Sequence, residues 1–165
     1  MSIKVNLTLV PAFNLDGVVA KSRLNGNQVD LNRNLPTRDW SPQAFNERYP
    51  PGAHANSEPE NQALTRWLEQ VVPRFIISLH SWKPMLNVNG KCHAEADAMR
   101  ALTGYEIVET IGYPTPGSLG TYAGIERDMP TLTYEIERGQ SPRDVLKIHV
   151  PSCLAALKVA EGRSV

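Results

Sequence analysis

The sequence predicts an α/β fold, a mixed and mostly parallel sheet flanked by helices. Three observations carry that expectation. Strand-like runs alternate with stretches of helical periodicity along the chain. Residues 75–80 read FIISLH, a nearly continuous apolar run of the kind found in strands buried on both faces. Ser57-Glu58-Pro59-Glu60 has the form of a capping box, with the serine as cap and the glutamate reaching back. At 165 residues the chain is long enough for one domain with a real core, and residues 1–165 are taken as a single domain.

The elements follow in order. Residues 3–10 place Ile3, Val5, Leu7 and Leu9 on one face and predict a strand that stops at Pro11. Residues 13–55 are rich in Asn, Gly, Pro and Arg and predict a long irregular segment, which in a compact domain usually carries function. After the capping box, Leu64, Trp67, Leu68, Val71 and Val72 recur at helical spacing until Pro73. The apolar run over 75–80 is the next strand. Residues 91–103 predict a helix with Ala94, Ala98 and Leu102 on one side, and residues 105–108 a short strand. A helix over 118–127 is entered from Pro116-Gly117. Residues 131–136 form a strand, and Ser141-Pro142-Arg143-Asp144 opens a final helix that Pro151 kinks or splits.

Bulk composition excludes several classes of function. Lys+Arg and Asp+Glu balance at 17 each, so the chain has no overall field for nucleic acid or an anionic membrane. No run reaches the length of a transmembrane helix. Residues 1–6 have no signal-peptide pattern, which points to the cytoplasm. Cys92 and Cys153 stand in unrelated contexts and read as two reduced thiols.

Six residues carry candidate chemistry. In an extended run Thr131, Thr133 and Glu135 share the more polar face. A partly buried carboxylate there is costly unless it is paired or used, so Glu135 is either a functional residue lining a cleft or one half of a structural ion pair with an arginine. His80 ends an apolar strand, where ligands of open α/β sheets gather, and could hold a metal or be a hydrogen-bonded edge histidine. Arg33 with Asn32 makes a good carboxylate clamp, because the guanidinium fork offers two parallel donors and the amide adds a third. Loop-internal hydrogen bonding is the alternative. Arg23 is a second fixed positive charge, suited to a developing oxyanion or simply solvated. Tyr113 stands in a Pro- and Gly-rich loop of the kind that forms lids. His54, His93 and His149 have no partner at a trusted ligand spacing. His93 and Glu95 would lie on different faces of a helix and chelate poorly.

The order of these motifs is more informative than any one of them. Asn14-Leu15-Asp16-Gly17, Arg23-Leu24-Asn25, Val29-Asp30-Leu31-Asn32-Arg33-Asn34-Leu35-Pro36, Ser57-Glu58-Pro59-Glu60, Leu79-His80-Ser81 and Glu135 together resemble the zinc carboxypeptidase family of metallopeptidases. The stretch Gly112-Tyr113-Pro114-Thr115-Pro116-Gly117-Ser118-Leu119-Gly120-Thr121-Tyr122 looks most like its bacterial murein peptide amidase branch, which cleaves the γ-D-glutamyl bond to diaminopimelate in cell-wall peptides.

That resemblance implies roles by position. His80 matches a zinc ligand and Glu135 the general base. Arg23 matches the arginine that polarises the scissile carbonyl, Asn32 and Arg33 the pair that holds the substrate's free carboxylate, and Tyr113 the mobile tyrosine that closes over it. Gly120 falls near the specificity pocket, where a small residue leaves room for a large or polar group. The implied cofactor is zinc in a complete site, and the implied partner is a peptide or murein peptide with a free carboxylate. The implied activity is hydrolysis of the amide beside that carboxylate, and the other outcome is an inactive short form that binds such peptides. One departure stands out. The family's other two zinc ligands come from a His-x-x-Glu motif that would precede Asn14, and no histidine precedes His54 here. The chain is therefore expected to resemble the C-terminal two-thirds of a family domain, N-terminally incomplete and with an apolar sheet edge left exposed.

Overall fold

The computed structural model describes residues 4–162, which divide into two compact units, one of residues 8–72 with 113–122, the other of 4–7, 73–112 and 123–162.

The first unit is mostly irregular. Helix α1 (Leu15–Ala20) is capped by Asn14, whose side-chain oxygen accepts from Gly17 N–H. A single 3-10 turn, Leu31–Arg33, is capped by Asp30 through the N–H of Asn32. Helix α2 (Pro59–Val71) follows. The capping box expected before it does not form. Glu58 rather than Ser57 is the N-cap and makes no side-chain cap bond. The reason is competition: the Ser57 hydroxyl donates to Glu58 Oε1 (2.6 Å) and accepts from Asn34 Nδ2 (2.9 Å). Pro59 at the start of the helix needs no cap of its own, having no N–H.

The second unit is a four-stranded sheet with helices. Its strands are β1 (Ile76–Trp82), β2 (Met85–Asn89), β3 (Glu106–Val108) and β4 (Thr131–Glu137), in the order β1-β4-β2-β3. β1 pairs parallel with β4 and β2 parallel with β3, while β2 and β4 are antiparallel. The mixed α/β expectation holds. Helix α3 (His93–Thr103) lies between β2 and β3 in the chain. The expected final helix is split as foreseen, into α4 (Pro142–Asp144), a π-helical turn Val145–His149 and α5 (Val150–Glu161), with Pro151 in the first turn of α5.

The core lies on one face of this sheet. Leu86 and Val88 from β2 and Leu132 and Tyr134 from β4 meet Cys92, Ala96 and Met99 of α3 and Ala156 of α5. The alternate residues of β4 therefore turn to the other face. Cys92 and Cys153 are free thiols, as expected, and burial pushes the Cys153 thiol up.

Four expectations are corrected or extended. Residues 4–10 form no strand (Ile3 lies outside the described residues), and Leu9 is 76% exposed. Alternation shows what a strand would bury, but a strand also needs a ladder partner. β1 is not buried on both faces, because the strand order puts it at the sheet edge and leaves Leu79 62% exposed. The helix expected over 118–127 is a π-helical turn, Gly120–Ile125. There Gly124 packs so closely on β2 that a Cβ would come within 2.3 Å of Asn89 O. β2 itself was not anticipated; its asparagines mask a strand whose Leu86 and Val88 are almost wholly buried. Among the described residues no helix is long and apolar enough to cross a membrane.

Candidate functional site

In the first unit the structure brings Arg23, Asn32, Arg33 and Tyr113 together. Asp30 organises them. Its Oδ2 accepts from Arg23 Nε (2.7 Å) and its Oδ1 from Asn32 N–H (3.0 Å). Arg33 is 4% exposed, and its Nη1 donates to the Asn32 carbonyl at 2.6 Å. Its Nε is buried with no hydrogen-bond partner among the described residues. Burial pushes the Arg33 guanidinium below its ordinary value; Asp30 opposes that shift and the neighbouring Arg23 adds to it. Asp30 thus pairs with Arg23 while Arg33 feels its charge without an ion pair among the described residues, and these three groups carry a net positive charge that an anion would balance.

Asn32 is oriented for the same task. Its side-chain oxygen accepts from Leu119 N–H at 2.8 Å, which leaves the amide nitrogen as the end free to donate. Two more hydrogen bonds tie the Tyr113 loop to the same stretch: Leu35 N–H to Gly117 O (3.0 Å) and Gly117 N–H to Thr37 Oγ1 (2.9 Å). Gly117 has φ +70°, and a Cβ there would stand 2.2 Å from Arg33 O, so no other residue allows this approach. Tyr113 is half-buried and stacks on Phe45 with ring centroids 6.1 Å apart and planes 9° from parallel.

In the second unit His80 and Glu135 are register partners across the parallel β1–β4 ladder. Partners in register share a face, so the two side chains are neighbours on the face opposite the core. Ser78, Thr133 and Asn87 occupy the same face, and Ser78 Oγ lies 3.0 Å from His80 Nε2. Glu135 is 7% exposed. The regular backbone of two strands fixes this pair.

Several residues that matter were not singled out from sequence. Asn34 is wholly buried and knots the loop: Nδ2 donates to Pro51 O, His54 O and Ser57 Oγ, and Oδ1 accepts from Glu58 N–H and Asn61 Nδ2. Glu58 accepts from Asn25 Nδ2 (2.7 Å), Asn27 Nδ2 (2.9 Å) and Ser57 Oγ. Burial works to raise its carboxyl, but these three donors prevail and hold it below the usual value. Tyr49 lies against both arginines, with ring-centroid distances of 4.9 Å to Arg23 Cζ and 5.1 Å to Arg33 Cζ. On the core side of the sheet His149 is 3% exposed, bonded to the Tyr134 hydroxyl through Nδ1 and to Gln140 Oε1 through Nε2 (2.5 Å). Gln140 accepts there, so Nε2 carries the proton and Tyr134 donates to Nδ1. Burial pushes His149 down and Tyr134 up to about 12. The density of Asn in the loop hints at the first, and Glu58 reads only as part of a capping box.

A catalytic zinc takes three protein ligands and a water. Among the described residues no group of three or more His, Cys, Asp or Glu side chains could hold a metal ion. The described residues therefore do not fit a zinc ion by themselves, and any such site would need ligands beyond them.

Residues 3–140 match the family model described as zinc carboxypeptidase. The chain is 31% identical over 140 residues to murein peptide amidase A of Vibrio campbellii, covering 78% of this chain and 55% of that protein. It is 33% identical over 127 residues to murein peptide amidase A of Escherichia coli K12, covering 69% of this chain and 51% of that protein. The chain thus spans about half the length of the curated relatives it matches. Among solved structures, the murein-tripeptide amidase of Escherichia coli O157 superposes with a TM-score of 0.72 at 24% identity, over 93% of this chain and 67% of that one. At that identity the superposition shows the fold alone.

Proposed function

The chain belongs to the zinc carboxypeptidase family, and from that premise we propose that it carries the carboxylate-binding and proton-transfer residues of a peptidase or amidase. The observation that carries the reading is the Arg23–Asp30 ion pair beside the buried Arg33, two guanidiniums near one carboxylate with the Arg33 Nε left to donate. A free carboxylate of the substrate supplies the missing charge. Arg33 and the Asn32 amide bind it, Arg23 stabilises negative charge that develops on the neighbouring carbonyl, and Tyr113 covers the bound group. Glu135 serves as general base, taking a proton from the attacking water and passing it to the leaving amine. His80 is the one zinc ligand this reading assigns to the chain. The murein peptide amidases among the relatives favour a cell-wall peptide, with γ-D-glutamyl-diaminopimelate as the substrate to test.

A second reading is a form that binds carboxylate-bearing peptides without turning them over. It is favoured by the Arg23–Asp30 pair beside the buried Arg33, an arrangement that needs no metal to hold a carboxylate.

Calorimetry with γ-D-glutamyl-diaminopimelate and its carboxamide tests the common core of both readings. The acid is expected to bind and the carboxamide not, and Arg33→Ala to lose binding. Equal binding of acid and amide would end the carboxylate-clamp reading. A zinc titration of the same chain separates the two. Tight one-to-one zinc favours the hydrolase and warrants amidase assays; weak zinc lost on His80→Ala favours the binding form for the chain by itself.

A further inference from the structure

Resting on the clamp proposed above, we infer that Tyr49 is a positioning residue whose ring holds the Arg23 and Arg33 guanidiniums together on one anion. Two cations drawn to one point repel each other, and Asp30, paired with Arg23, supplies a single negative charge that Arg33 also feels. The face of an aromatic ring carries negative electrostatic potential and attracts a guanidinium within about 6 Å of its centroid. The Tyr49 ring meets that condition for both arginines, at 4.9 and 5.1 Å.

The ring is also placed firmly. Tyr49 N–H donates to Asn46 O at 2.9 Å, Asp30 N–H to Pro50 O at 2.8 Å, and Asn34 Nδ2 to Pro51 O at 2.8 Å. The two prolines fix φ directly after the tyrosine. The segment that delivers the ring is therefore strapped to the backbone of Asp30, whose carboxylate pairs with Arg23, and to the Asn34 amide that knots the loop. Arg23 needs such support most, since its side chain is 44% exposed and its one ion pair among the described residues is with Asp30. Without the ring, Arg23 can turn about that one bond and Arg33 loses its aromatic face.

The test uses the whole chain with N-acetylglycine as the probe and N-acetylglycinamide as its uncharged control, read by NMR at the arginine Nε–H signals. The wild type is expected to respond to the acid and not to the amide. Tyr49→Phe keeps the ring and is expected to bind within about twofold of wild type, whereas Tyr49→Leu is expected to bind about five- to tenfold more weakly. Tyr49→Leu should also move the Arg23 and Arg33 Nε–H signals before any probe is added, because the ring current is gone. That shift reports the ring's place over both guanidiniums, and the contrast in binding between Tyr49→Phe and Tyr49→Leu reports its role. If Tyr49→Leu binds like wild type while Arg33→Ala does not bind, the assignment to Tyr49 is overturned and the clamp stands. Equal weakening in Tyr49→Phe and Tyr49→Leu overturns it too. If the wild type treats acid and amide alike, the clamp falls and Tyr49 with it. Should Tyr49→Leu not fold, contacts between the Tyr49 ring protons and both guanidiniums in the wild type decide the matter: seen, they support the assignment; missing, they overturn it.

Discussion

The carboxylate clamp and the His80–Glu135 pair are built by opposite means. The clamp is held by side chains on irregular backbone: Asp30 caps a 3-10 turn, Asn34 knots five partners, and Gly117 admits a close approach. The pair is held by the ladder of two parallel strands. A site hung on side chains fails when one of them is removed. A site hung on a ladder keeps its geometry when its own side chains change. That difference sets the expected responses to mutation.

The largest effect belongs to the sheet pair and is chemical. In an enzyme with a complete metal site, Glu135→Gln is expected to lower turnover about 10²- to 10⁴-fold, the usual contribution of a general base. Its stability is expected to change by less than about 1 kcal/mol, because the ladder stays and the amide is isosteric. Steady-state kinetics and thermal melts of the same variant check both halves. Wild-type turnover would remove Glu135 from the role assigned to it.

The next effect belongs to the clamp and is structural. Asn34→Ala leaves Glu58 N–H, Asn61 and three acceptors without their partner in a buried loop. It is expected to cost about 3 kcal/mol, as buried polar groups left unsatisfied do, and to abolish discrimination between a carboxylate and its amide, although Asn34 touches no ligand. His80→Ala, in contrast, should melt within about 1 kcal/mol of wild type. Denaturant titrations of the two variants test the contrast directly. If both lose equal stability, the distinction between side-chain-built and ladder-built sites does not hold here.

The same division explains what the sequence revealed. β4 was readable because Thr131, Thr133 and Glu135 alternate with Leu132, Tyr134 and Ile136, and a two-residue period states which face is which. Asp30, Asn32 and Arg33 were readable as a polar cluster with donors and charge in one short run. Asn34, in the same run, was not separable from them, because its role depends on Pro51, His54, Glu58 and Asn61. Tyr49 was hidden for the same reason, since its contacts with Arg23 and Arg33 are made by folding and not by spacing. Residues 4–10 and β2 failed in opposite directions. The first have the strand pattern without a ladder partner among the described residues, and the second has a partner on both sides with asparagines in its pattern.

The smallest expected effect is in the pH response, and it sharpens the comparison most. His149 is held neutral by burial, so its value in the fold lies below the ordinary 6.5. The stability it contributes is present above 6.5 and drains as pH falls through the lowered value. Glu58 is held ionised by Ser57, Asn25 and Asn27 against its burial, below the ordinary 4.5. Its contribution is present above 4.5 and drains only as pH falls below that. Acid should therefore loosen the Tyr134–His149–Gln140 network of the sheet unit first and the amide knot of the loop unit later. Amide exchange followed from pH 7 downward reads this as earlier loss of protection in β4 and α5 than at Glu58 and Asn61. His149→Gln should erase the earlier step and leave the later one, and Glu58→Gln should flatten the later one alone. Simultaneous loss in both units would mean that neither group sets the acid response, and that the two regions do not titrate as their different construction requires.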